Sequence, residues 1–162
     1  MENWIAEAIA CWNASGTKMN PPATIEEIEK TESVLDFKFP DDFKQLYLTV
    51  NGFADWDMQE HSFSFWPLDR IIEEHSKGDN KSFIGFSDWL ILCNTIGFIK
   101  ESPGIFKDHL VDVGSRPTES GVSVFPKDVY GKSKEYLLVF DKIAETFREI
   151  TALINAGTGD IY

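Results

Sequence analysis

Between Thr24 and Gly52 the chain reads TIEEIEKTESVLDFKFPDDFKQLYLTVNG, and no other stretch narrows its possible folds so far. Thr24 and Glu27 stand at capping-box spacing, where a hydroxyl and a carboxylate each satisfy a free amide at a helix start. Ile25, Ile28 and Leu35 then recur on one helical face. Phe37 and Phe39 alternate with polar neighbours ahead of Pro40, which biases the residue before it away from helix. Asp41 stands where the N-cap of a second helix is expected, with Asp42 beside it against the positive end of the dipole. Phe43, Leu46, Tyr47 and Val50 follow at i, i+3, i+4 and i+7, the spacing of a buried stripe. Asn51 and Gly52 both tolerate the left-handed conformation of a C-cap and are expected to end that helix. Two amphipathic helices on an extended linker result, a pattern that speaks of packing and not of chemistry.

Ahead of this stretch, Glu2 to Ala14 predicts a helix with Trp4, Ile5, Ala8, Ile9 and Trp12 on one side, stopped by Ser15-Gly16. Residues 1–20 thus read as an N-terminal helical extension. Beyond Gly52, Phe63, Phe65 and Trp66 predict a short strand closed by Pro67, and Leu68 to His75 a brief helix. From Phe83 the period changes. Phe83–Phe86, Trp89–Asn94, Gly97–Lys100, His109–Val113, Val122–Phe125 and Glu135–Phe140 are short aromatic and β-branched runs, punctuated at Ser102-Pro103-Gly104 and Arg116-Pro117-Thr118. Asp141 is expected to cap a closing helix striped by Ile143, Phe147, Ile150 and Ile154, with 156–162 a short tail. Helices first, strands in the middle and a helix last predict an α+β fold. Its helices pack against one face of a single mixed, mostly antiparallel sheet, in one domain spanning residues 1–162.

The order Ile25, Glu32, Leu35, Phe39-Pro40, Asp42-Phe43, Leu46 and Asn51-Gly52 resembles the opening signature of the SUKH superfamily. Trp66-Pro67-Leu68 with Ile71, then Phe86-Ser87-Asp88-Trp89-Leu90-Ile91, then Ile143 to Phe147 with Ile150, carry the resemblance from Thr24 to Leu153. That superfamily holds fungal cell-wall synthesis regulators and bacterial immunity proteins that neutralise polymorphic toxins. Two departures border turns and bear on loop shape: Asp36 stands where glycine is common, and Phe53 replaces a frequent second glycine. The resemblance places Glu32 where the family usually has glutamate. A structural role is expected for it, because a buried carboxylate needs amides or a basic group around it. Pro40, Asn51 and Gly52 are structural in the same reading.

The formal charge of -12 excludes more than it assigns. Binding DNA or RNA rests on cationic groups that displace condensed counterions, so direct nucleic-acid binding is not expected, nor is an anionic membrane. Cys11 and Cys93 form no framework or metal pair and read as buried free thiols, on a helix and in an apolar strand. MENWIAEAIACW lacks the basic start of a secretory signal, which predicts a cytoplasmic protein. His61, His75 and His109 fit no ligand spacing, the many carboxylate pairs are what an acidic chain produces, and no phosphate-cradling glycine loop appears. No catalytic residue, metal or cofactor is therefore expected.

A binding protein needs exposed aromatic anchors set among groups that complement the partner. Asp55-Trp56-Asp57, with Glu60, fits that description, unless Trp56 folds back on the helix ending at Val50. Asp88-Trp89 is the second candidate, unless Trp89 joins the core and Asp88 merely ends a turn. Asp69, Glu73 and Glu74 read as a solvated helix face. The resemblance implies a non-enzymatic immunity protein, expected as a monomer, that neutralises a bacterial toxin. Many such toxins are nucleases with basic clefts that an acidic surface can occupy. A regulatory adaptor binding a cellular protein or peptide is the alternative.

Overall fold

The computed structural model describes residues 2–114, 122–124 and 135–157, with side chains within 2–109 and 138–157. In chain order the elements are α1 (Asn3–Ala14), α2 (Ile25–Leu35), α3 (Asp41–Tyr47), β1 (Phe63–Phe65), α4 (Leu68–Lys77) and β2 (Phe83–Trp89). Then come β3 (Asn94–Ile99), β4 (Ser102–Gly114), β5 (Val122–Val124), β6 (Glu135–Ala144) and α5 (Phe147–Ala156). The strands form one sheet of order β1-β2-β3-β4-β6-β5. Every pairing among the described residues is antiparallel. The fold is α+β. Arg116 to Thr118, Phe125 and the tail beyond residue 157 lie outside the described residues.

The capping box of α2 forms: Thr24 Oγ1 accepts from the Glu27 amide at 3.1 Å and donates to Glu27 Oε1 at 3.3 Å. Its C-cap is Asp36 at φ 53°, a left-handed residue at a position where glycine is the low-cost choice. The next helix departs from expectation at both ends. Pro40, not Asp41, is the N-cap of α3, and the helix stops at Tyr47, before Val50. Asn51-Gly52 is not its C-cap, because those two residues join the chain to α4. Asn51 Oδ1 accepts from the Leu68 amide at 3.0 Å, which caps α4. Gly52 (φ 67°) lies so close to the neighbouring chain that a Cβ would stand 2.5 Å from the Trp66 carbonyl carbon. Only a residue without a side chain fits there.

The closing helix is capped by Thr146, whose Oγ1 accepts from the Glu149 amide at 3.1 Å, and not by Asp141. The reason is pairing: β6 continues to Ala144 opposite Ile105, so Asp141 and Ile143 belong to the sheet. Asp42 completes the end of α5 by accepting from the Arg148 amide at 2.9 Å.

The helices bury a cluster dominated by aromatic rings. Phe43 stacks on Phe39 (centroids 4.2 Å) and Tyr47 (4.1 Å) and meets Phe147 edge-on at 5.0 Å. Each such side chain contributes about 1.5–3 kcal/mol by burial. Trp12 of α1 is fully buried, and its Nε1 donates to Asn155 Oδ1 of α5 at 2.9 Å. Among the described residues no helix is long and apolar enough to cross a membrane.

The β2–β3 hairpin is shaped by one absent side chain and one strained turn. Gly85 lies against Trp66, where a Cβ would stand 3.0 Å from the indole Cζ3, so the missing side chain makes room for the ring. The run expected as a strand from Trp89 to Asn94 is instead the turn itself. Leu90, Ile91 and Leu92 all have positive φ (48°, 53° and 66°), and Cys93 beside them is exposed rather than buried.

Candidate partner-binding site

The loop after Gly52 is tied to the segment following α1. Met19 bridges Phe53, Ala54 N–H donates to Lys18 O at 2.9 Å, and Thr17 Oγ1 donates to Met58 O at 3.2 Å. At its tip the Asp57 amide returns to Ala54 O at 3.0 Å, and the two central residues, Asp55 (φ 55°) and Trp56 (φ 60°), are both left-handed. That is the φ pattern of a type I′ turn, whose second central position is usually glycine. The tryptophan there is half-exposed, at 53%.

The Trp56 ring lies back against α4. Its ring covers a guanidinium. The Arg70 Cζ lies 3.6 Å from the Trp56 ring centroid and 4.7 Å from the Trp66 ring centroid. Arg70 is buried and its Nη2 donates to Asp88 Oδ2 at 3.0 Å, with Asp88 itself 1% exposed. The order outward is therefore Asp88, Arg70, Trp56. A desolvated guanidinium in contact with two indoles is held by cation–π attraction as well as by its carboxylate. Three buried polar atoms of this group have no protein partner: Trp66 Nε1, Arg70 Nε and Asp88 Oδ1. Two donors and a carboxylate oxygen make a setting suited to bound water.

Beside Trp56 lies a pocket of about 570 Å³, walled by Pro21, Pro22, Phe53 and Pro67 and rimmed by Glu27, Asp55, Asp69 and Glu73. Arg70 is the cation among its lining residues, and Asp88 already pairs with it. The surplus charge facing the opening is negative. An aromatic face beside several carboxylates suits a lysine or arginine side chain. A cleft of about 630 Å³ between Phe37, Pro40, the β3–β4 hairpin and the start of α5 is somewhat larger. Asp42 on its wall is already committed to Phe43 and Arg148 amides, and its lining has no exposed aromatic ring like Trp56.

The expected site residues separate in this geometry. Asp55 and Trp56 stand together at the pocket. Asp57 is spent on its own loop, with Oδ2 accepting from the Lys18 amide at 2.7 Å and Oδ1 from the Met58 amide at 2.9 Å. Glu60 is exposed and pairs with His61 at 3.1 Å, away from the pocket lining. Asp88, expected at the surface, is instead a buried strand residue that reaches the patch through Arg70. Trp89 is half-buried against the core, opposite Phe63. Arg70 was not expected here, nor were Glu27, Asp69 and Glu73 as a rim. One signal was readable: a single arginine amid acids, four residues after a tryptophan on a helix opening with Pro67.

Glu32 is buried, and its Oε2 accepts from the Phe39 amide at 2.7 Å. Lys44 lies 3.3 Å and Lys38 3.9 Å from the same carboxylate. It thus ties the linker ahead of Pro40 to the face of α2.

The family model described as SMI1 / KNR4 family (SUKH-1) matches residues 22–149 of the chain. The span includes Glu32, Trp56, Arg70 and Asp88 and begins after α1. No curated protein matches the chain.

Proposed function

We propose, from the premise that the chain belongs to the SMI1 / KNR4 family (SUKH-1), that it is a non-enzymatic immunity protein. It binds a bacterial toxin domain in the cytoplasm and blocks it through the acidic surface around Trp56. The family fits an immunity or regulatory role; one observation favours immunity against a basic target. Trp56 is half-exposed while Arg70 lies against its ring, and carboxylates line the pocket beside it.

The physical logic has two parts. A net charge of -12 draws a basic partner in from a distance, which chiefly accelerates association. Desolvated anchors then set how long the complex lasts. A nuclease toxin offers a basic cleft because its substrate is a polyanion, and a cluster of carboxylates competes for that cleft. Trp56 adds apolar area whose geometry is already fixed, so little conformational entropy is lost on binding.

A regulatory adaptor that grips a basic segment of a cellular protein would use the same pocket. Co-expression separates the two. The chain is expected to restore growth to cells producing the toxin encoded beside its gene, and an adaptor would not. Absence of rescue, with both proteins present, overturns the immunity reading.

A further inference from the structure

We propose that the tip of the β2–β3 hairpin, Leu90-Ile91-Leu92, is a second contact for the same protein partner. It acts as an apolar plug that enters a recess bordered by lysine or arginine. The inference rests on the immunity reading for the partner's identity, and on its own observations for the surface.

Three consecutive residues with left-handed backbone, none of them glycine and one β-branched, are a costly way to build a turn. Asn, Asp and Gly make hairpin turns at lower cost. What the sequence places there instead are three aliphatic side chains, 42%, 61% and 45% exposed. Backbone bonds fix the turn in place: Leu90 N–H to Ser62 O and Cys93 N–H to Trp89 O, both at 3.0 Å. A rigid, unfavourable conformation that presents greasy side chains to water has no evident use in folding. Such strain persists where it serves a surface.

The chemistry of the partner follows from the groups beside Leu92, the residue of the tip that borders a recess. Leu92 borders a recess of about 170 Å³ on the outer sheet face, floored by Phe83 and Phe140. Glu74, Asp79 and Asp108 line it, and no lysine or arginine does. An apolar centre with an acidic margin is complemented by an apolar surface with a basic one. The tip is also tied to the Trp56 patch. Asp88 Oδ2 accepts from the Leu92 amide at 3.0 Å and from Arg70, the residue beneath Trp56. Both exposed anchors are thereby braced on one buried carboxylate.

The test uses Ile91→Gly and Ile91→Asp in the full chain, with the toxin domain from the rescue experiment, catalytically inactivated, as the probe. Thermal melting of the free variants comes first. If Ile91 serves the partner and not the fold, Ile91→Gly melts at or above the wild-type temperature; a clear fall assigns the side chain to folding and overturns the proposal. Dissociation of the complex comes second. Both variants are expected to leave the toxin at least about tenfold faster than wild type, the scale of a buried interface anchor. Dissociation unchanged within about twofold overturns the tip assignment while wild-type rescue keeps the immunity reading intact. Failure of the wild-type chain to rescue or bind overturns both.

Discussion

Asp88→Asn isolates the charge on which the candidate site is built. The asparagine keeps the volume of the side chain and can still accept from the Leu92 amide, so what disappears is the countercharge of Arg70. The pair is almost wholly dry, with side chains 7% and 1% exposed. Removing one member of such a pair leaves an uncompensated buried ion, at a cost of about 3–5 kcal/mol. Stacking on Trp56 and Trp66 survives the change and does not repair it, since cation–π attraction supplies only about 0.5–2 kcal/mol. The loss is a large part of a total stability of about 5–15 kcal/mol. With a urea slope of about 2 kcal/mol/M, the midpoint should fall by roughly 1.5–2.5 M. Arg70→Met combined with Asp88→Asn removes both charges and should recover most of the loss, giving a large coupling energy in the cycle. Urea unfolding followed by far-ultraviolet circular dichroism measures all four proteins. A cost below about 1 kcal/mol, the value of an exposed pair, would refute the reasoning.

Three further outcomes are expected from the same geometry. Glu32→Ala strands the buried Phe39 amide and should cost about 1–3 kcal/mol in urea unfolding; the lysines contribute little, because Lys38 is 84% exposed and Lys44 34%. Tyr47→Phe removes a buried 2.6 Å bond to the Trp66 carbonyl and should cost about 1–3 kcal/mol by the same assay, with no loss refuting the bond's role. Burial lifts the Asp108 carboxyl above 3.8, against the lowering effect of the Thr95 amide and of nearby charges. A carboxyl with a raised folded value contributes stability that is complete below 3.8 and is lost as pH rises through the folded value. Asp108→Asn should therefore flatten the acid side of the melting-temperature profile and raise stability at neutral pH, and an unaltered profile would count against it.

Legibility in the sequence tracked the range of the interaction. The α2 cap at Thr24 was readable because donor and acceptor lie three residues apart. So were the Phe43–Tyr47 stripe and the α+β order of elements. Asp141 was misread as a cap because its place is decided by β4, some thirty residues earlier in the chain. Leu90-Ile91-Leu92 has the composition of a strand, and nothing local announces a left-handed turn; the bonds to Ser62 and Asp88 impose it. Asn51-Gly52 has the composition of a C-cap, yet tertiary contact with Trp66 and Leu68 claims it. At the candidate site, Asp55 and Trp56 were readable as an acidic loop bearing an aromatic. The rim from α2 and α4, and the arginine beneath the indole, exist only once three distant segments meet.

Recognition by opposite charge and surface fit around Trp56 is open to measurement in the kinetics of toxin binding. Association and dissociation rates should be measured from about 0.05 to 0.5 M salt for wild type and Trp56→Ala. The association rate should fall steeply with salt for both proteins, with dissociation of Trp56→Ala at least about tenfold faster than wild type. An association rate indifferent to salt, with Trp56→Ala dissociating at the wild-type rate, would contradict it.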